Sequence, residues 1–296
     1  MIDFFQTTSS DYLSPSGDDS NQAVTQVDIA IVGAGLGGLC AGAILNTLYN
    51  KTVGIYEAHY LAGGCAHAFP RRDEQGVEYT FDSGPTIVLG SSSPPYNGLQ
   101  QVLRAVHQEI EWIPYDGWGM IENPLQPEEK RWKVELGPTA FEQGPLLEFG
   151  GPDAVREFKE LQDCTKGLVT GAAIPAMAMR SDSKAAVPLL RYFRTLFSLI
   201  RQGEKVTGTF GPYMDGPEYT VKNQWLRDWL DALAFSLSGL PASRTAAAAM
   251  AFILSDMHRS GAALDYPKGG MGEIVDALVR GVEQGNRGSR VNLRSK

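Results

Sequence analysis

Cysteine is scarce and unpatterned in this chain. Cys40, Cys65 and Cys164 are odd in number and widely spaced, which suits neither a disulfide framework nor a CxxC metal or redox site. That scarcity points to a reducing compartment. Histidine is nearly as rare: His59, His67, His107 and His258 lack the spacing of metal ligands, so no metal is expected. No Lys/Arg-dense run occurs and the net charge is -8, which argues against a nucleic-acid partner. The longest uninterrupted apolar run, Ala246 to Leu254, is far too short for a helix crossing a ~30 Å hydrocarbon core. Residues 1–26 contain no Lys or Arg and include Asp11, Asp18 and Asp19. They therefore fit neither a secretory signal nor a transit peptide, and are expected to form a solvated, disordered tail.

What the chain does have is a sizeable core. Hydrophobic residues make up 43% of its 296 residues and charged residues 20%, as in a globular chain. Val27 to Val32 reads as a short buried parallel strand, Leu36 to Leu48 as a helix with an apolar face, and Val53 to Tyr56 as a second strand ending at Glu57. This is one βαβ unit. Short strands are expected around 117–121, 132–136 and 146–149. Helices are expected over 153–163, 188–202, 222–236, 244–256 and 273–282. The resulting organisation is a tail (1–26), a dinucleotide-binding half (27–90), a mixed and then mostly helical domain (91–262), and a return to the first fold (263–296).

Between the first strand and helix lies Gly33-Ala34-Gly35-Leu36-Gly37-Gly38, a G-x-G-x-x-G fingerprint. Gly33 permits the tight turn, Gly35 lets backbone approach a pyrophosphate, and Gly38 lets helix and strand pack closely. The phosphates would sit at the helix N-terminus, where unpaired N–H groups and the positive dipole end favour an anion. Glu57 follows at the distance where a carboxylate meets ribose hydroxyls, and an acid there disfavours a 2′-phosphate. Gly63-Gly64 supplies a second stretch of backbone able to approach the ligand, which favours FAD over a simple nicotinamide cofactor. On spacing alone the alternative is a flexible turn. Phe81-Asp82-Ser83-Gly84-Pro85 and Gly269-Gly270 read, without further information, as turns.

In this order, the fingerprint, Glu57-Ala58-His59, Gly63-Gly64, Phe81 to Pro85 and Tyr266-Pro267-x-Gly269-Gly270 resemble the FAD-dependent phytoene desaturase and carotenoid isomerase family. The chain is most similar to the carotenoid isomerase-like branch of photosynthetic organisms, from about Val27 to Val291. Trp225 to Leu230, Ser238-Gly239-Leu240-Pro241 and Leu264 to Pro267 carry that closer likeness. Ala62 departs from it, since relatives commonly carry Pro before the glycine pair. The resemblance implies an α/β fold: a Rossmann-like FAD-binding domain, incomplete at the C-terminus, with an inserted, mostly helical substrate domain. It implies non-covalent FAD held by Gly33, Ala34, Gly35, Leu36, Gly38, Glu57, Ala58, Gly63 and Gly64, with Ser83, Gly84 and Pro85 nearer the flavin ring. It also implies a carotenoid or other isoprenoid polyene as substrate, contact with a membrane surface, and a plastid location, with the cytoplasm as the alternative.

Family members continue past residue 296 and carry a later Gly-Asp motif beside the flavin. The expectation is therefore a truncated chain, either a clipped isomerase-like or desaturase-like enzyme or a non-catalytic nucleotide-binding or interaction protein. An NAD-linked dehydrogenase sharing only the βαβ unit is the third reading. No catalytic residue or electron acceptor is identified. The 188–202 segment, with Leu189, Phe193, Leu196 and Ile200 on one face and Arg191, Arg194 and Arg201 towards the other, fits a core helix or one lying on a membrane.

Overall fold

The structure is a computed structural model that describes residues 26–84, 86–94, 96–122, 130–172, 197, 208–216, 219–284 and 288–295. The expected tail, Pro85 and, apart from residue 197, the expected 188–202 helix lie outside the described residues.

Along the chain the described elements begin with β1 (Ile29–Val32), α1 (Leu36–Tyr49) and β2 (Val53–Tyr56). β3 (Ala68–Arg72), β4 (Glu78–Asp82), β5 (Val88–Leu89) and α2 (Gly98–Ala105) follow. Next come β6 (Trp112–Tyr115), β7 (Gly117–Glu122), β8 (Lys130–Glu135), α3 (Ala140–Gln143) and α4 (Gly151–Ala172). The last are α5 (Gly211–Asp215), α6 (Gln224–Ser238), α7 (Ala247–Asp256), β9 (Leu264–Pro267), α8 (Gly272–Glu283) and β10 (Arg290–Asn292).

Two compact units result. The first comprises Met1–His67, Val102–Glu109 and Ile274–Lys296, and the second Ala68–Gln101 and Ile110–Glu273. The division falls after His67 rather than after residue 90 because β3 and β4 pair with each other, and β5 pairs with β9, all inside the second unit.

In the first unit β1, β2 and β10 form a parallel sheet in the order β1-β2-β10, with Ile29 opposite Val53 and Arg290 opposite Gly54. β1 is therefore an edge strand among the described residues, and Val32 on it is 92% exposed. α1 buries Leu39, Gly42, Ala43 and Asn46. Gly42 has a packing reason: a Cβ there would stand 2.7 Å from Ile55 Cδ1 and 3.2 Å from Val282 Cγ2. α1 is thus pressed between β2 and α8. Its C-terminus ends on Asn50 at φ 50°, a left-handed cap of the kind Asn tolerates. Asn46 Nδ2 donates to Ser289 Oγ at 2.5 Å, tying the helix to the chain entering β10.

The second unit packs a helical core against the antiparallel β7–β8 ladder. Phe141, Phe158, Leu161, Trp229, Leu230, Met250 and Leu254 are buried together there. Each such large side chain contributes roughly 1.5–3 kcal/mol relative to exposure. α6 opens on Asn223, whose side chain accepts from the Leu226 amide at 3.0 Å, and closes on Gly239 at φ 70°.

One expected strand is not a strand. Leu146–Gly150 is a helical turn running into α4, with Leu146 fully buried in the helical core. A short apolar run such as Leu146-Leu147-Glu148-Phe149 is compatible with either structure, and packing against helices decides it. The helix expected from residue 244 begins at Ala247. The preceding Thr245 is extended (φ -79°, ψ 148°), and its carbonyl accepts from the Phe210 amide at 2.8 Å.

Candidate functional site

The glycine fingerprint forms the expected strand–turn–helix junction. Gly33 sits at φ 94°, a conformation costly for residues with a Cβ. Gly38 is held by contact instead, since a Cβ there would come within 2.1 Å of the Gly33 carbonyl oxygen. Gly35 differs from both. It has an ordinary φ of -69°, and a Cβ built on it meets nothing within 4 Å. Its small size therefore serves no contact inside the fold; it keeps space open in front of the turn. That space lies at the N-terminus of α1, which has no side-chain cap and no acidic residue in its first turn. Amides at such a helix start lack intrahelical acceptors and favour an anion.

Glu57 lies against this turn. Its Oε2 accepts from the Ala34 amide at 2.7 Å and its Oε1 from the His59 amide at 2.8 Å. The His59 amide, followed by the Ala34 amide, lowers the carboxyl pKa below its ordinary value. An ionised carboxylate has about four acceptor positions on its two oxygens, so lone pairs remain for further donors. Ala58 follows Glu57 and is exposed.

Gly63 and Gly64 complete the rim. Gly63 (φ 113°) donates its N–H to the Ala34 carbonyl at 2.7 Å, and Gly35 and Gly63 form an isolated parallel bridge. A Cβ on Gly64 (φ 59°) would lie 3.2 Å from Gly35 Cα. Gly33, Ala34, Gly35, Leu36, Gly38, Glu57, Gly63 and Gly64 are thus gathered at one end of β1 and β2. Cys65 and His67 lie just beyond; Cys65 is exposed, and His67 Nδ1 is 2.7 Å from the Gly64 carbonyl oxygen.

Ser83 and Gly84 follow β4 in the second unit and are exposed. The preceding residue, Asp82, has the structural role there. Its carboxylate accepts from the Tyr266 hydroxyl (2.7 Å) and the Met271 amide (2.8 Å), and Gly270 at φ 95° leaves room for it. Reading Phe81 to Pro85 and Gly269-Gly270 as two separate turns missed this link. An acid before one glycine turn and a tyrosine before the other were the available signals.

No group of metal-binding side chains occurs among the described residues, and no described helix is long and apolar enough to cross a membrane.

Strand order and junction together define a Rossmann-like fold. Residues 31–106 match the NAD(P)-binding Rossmann-like domain family. The human all-trans-retinol 13,14-reductase is 42% identical over 139 residues, covering 46% of this chain and 21% of that protein. Prolycopene isomerase 1, chloroplastic, from an Oncidium hybrid cultivar is 24% identical over 268 residues, covering 90% of this chain and 42% of that protein. Among solved structures, an oxidoreductase from Methanosarcina mazei superposes with a TM-score of 0.51 at 16% identity, over 90% of this chain and 50% of that one. Within that fold class, then, the chain is similar to a retinol reductase and a prolycopene isomerase. It spans less than half the length of the curated relatives it matches.

Proposed function

We propose that the first unit binds the ADP moiety of FAD, and that the chain is part of an enzyme acting through that flavin on a long apolar isoprenoid of the carotenoid or retinoid type. The observation that carries the cofactor reading is the clasp of Glu57 on the Ala34 amide, beside a Gly35 whose missing side chain leaves the turn open. Gly33, Ala34, Gly35, Leu36 and Gly38 would hold the pyrophosphate by backbone N–H groups and the helix dipole. Glu57 and Ala58 would hold the adenosine ribose, with Gly63 and Gly64 closing over the dinucleotide. The resemblance extends the flavin's contacts to Ser83, Gly84 and Pro85. Flavin supplies the electron chemistry, while protein supplies orientation and electrostatics.

The polyene substrate is supported by the relatives, a prolycopene isomerase and an all-trans-retinol reductase. Isomerisation would leave the flavin unchanged overall, whereas reduction or desaturation needs an electron donor or acceptor. The chloroplastic prolycopene isomerase supports a plastid location, and peripheral membrane contact suits so apolar a substrate.

The test is reconstitution of the purified chain with FAD. Bound flavin absorbance, lost in Gly35→Val, is the expected result, and no retained flavin at saturating FAD overturns it. A second reading, a nicotinamide-binding unit, is favoured by the match of residues 31–106 to the NAD(P)-binding Rossmann-like domain. It predicts NADH binding at the same junction with no retention of flavin.

A further inference from the structure

A second cavity, in the helical unit, has the build of a cation site. The β7–β8 ladder sets Met120 opposite Trp132 and Glu122 opposite Lys130, so these side chains share one face of the hairpin. Trp225 and Trp229, one turn apart on α6, meet that face. Trp132 lies 5.5 Å from Trp225 and 5.7 Å from Trp229 between ring centroids, at interplanar angles of 48° and 61°. The three indoles, in tilted and edge-on contact, form one aromatic wall beside a space. The space is a cavity of about 280 Å³, lined also by Met120, Glu122 and Asp228.

The two charged residues that line the cavity are both carboxylates. Glu122 Oε1 accepts from both Trp132 Nε1 and Trp225 Nε1 at 3.0 Å, which locks two indoles and sets a carboxylate beside them. Asp228 adds a second carboxylate at the exposed rim. Trp229 Nε1 is buried without a hydrogen-bond partner among the described residues. The adjoining ring already holds a cation: Lys130 Nζ stands 5.4 Å from the Phe149 centroid, and Phe149 is 5.9 Å from Trp225.

We propose that this cavity binds a quaternary alkylammonium group, either as free choline or as the choline headgroup of a phospholipid. Indole faces attract such a cation, and it brings no N–H groups needing acceptors in an aromatic wall. Two carboxylates exclude an anion, and the cavity falls below the ~300–1,000 Å³ of sites for drug-sized ligands, so a long polyene does not fit.

Choline titrated into the whole chain, followed by tryptophan fluorescence, tests the proposal without any flavin. The control is 3,3-dimethyl-1-butanol, a neutral molecule of the same shape. Saturable choline binding is expected, with the neutral control weaker by roughly tenfold, since it lacks the charge that the indole faces and the two carboxylates attract. Glu122→Gln keeps an acceptor for the indoles but loses the charge, and lowers choline affinity roughly five- to thirtyfold without moving the neutral control. Trp225→Leu does the same to choline, with far-UV circular dichroism confirming the fold. Vesicles of phosphatidylcholine, against vesicles of phosphatidylglycerol, separate the sources. Choline-competed capture by the former assigns the headgroup, and its absence alongside choline binding assigns the free cation. No saturable choline response, equal binding of the neutral control, or an unaltered Glu122→Gln variant overturns the proposal.

Discussion

Tyr266 donates its hydroxyl to Asp82 Oδ2 at 2.7 Å, joining two glycine-containing motifs 184 residues apart in sequence. The Asp82 hydrogen bond, with burial adding to it, pushes the Tyr266 phenol up to about 12. Tyr266→Phe removes one charge-assisted bond and should cost about 1–2 kcal/mol in urea unfolding. Asp82→Ala should cost more, because the Met271 amide also loses its acceptor. Equal midpoints for wild type and Asp82→Ala would show that the link carries no stability.

The two fingerprint glycines with negative or ordinary backbone demands should separate fold from binding. Gly38→Ala forces a Cβ towards the Gly33 carbonyl, and no flexible side chain is there to give way. Although alanine favours a helix by roughly 1 kcal/mol, this overlap should leave a net loss of about 1–3 kcal/mol in thermal unfolding. Gly35→Ala points into open space and should unfold like wild type while losing FAD retention. A Gly35→Ala protein that still retains flavin would remove the reason given for that glycine.

Glu57 should stay ionised below the usual glutamate range, because its charged form accepts the His59 and Ala34 amides. The folded protein then binds this proton less readily than the unfolded chain does. Its contribution is complete above the unfolded value and is lost as pH falls through the lower folded value. Carbon-13 NMR of the Glu57 carboxyl should show the depressed midpoint, and flavin should be released over the same acidic window. A midpoint at or above that of a free glutamate would contradict the clasp.

His258 behaves in the opposite chemical sense. It is 7% exposed, its rings pack on Phe141 and Phe158, and neither ring nitrogen has a hydrogen-bond partner of normal geometry among the described residues. Burial lowers its pKa to about 4, with the Gly137 backbone opposing the shift only in part. Between the ordinary histidine range and about 4 the unfolded chain takes up a proton that the folded chain refuses. Stability should therefore fall as pH drops, by up to about 1.4 kcal/mol per pH unit from this group. His258→Leu should flatten that limb in denaturation curves at pH 7, 6 and 5. An unchanged slope would place the proton uptake elsewhere.

The βαβ unit was legible because its signals are local. Apolar runs, glycines at fixed offsets and an acid at the end of the second strand all lie within about thirty residues. Glu57 was readable as an acid closing the second strand, yet its bond to the Ala34 amide was not, since register between strand ends is a tertiary fact. The β3–β4 hairpin went unread because its strands are short and mostly exposed, with little alternation to betray them. The pairing of β9 with both β5 and β6 went unread for another reason: sheets assembled across more than 150 residues leave no periodic trace. Asp82 and Tyr266 belong to the same class. Their motifs stood out, but the contact between them did not.

The position of β1 at the edge of its sheet, among the described residues, carries a practical consequence. Among the described residues β1 pairs with β2 alone, and such an edge beside a valine exposed as fully as Val32 is a template on which another extended chain can add. In concentrated solution this favours edge-to-edge stacking of identical molecules. A lysine at position 32, pointing outward where the valine now does, should delay turbidity while leaving the glycine turn untouched.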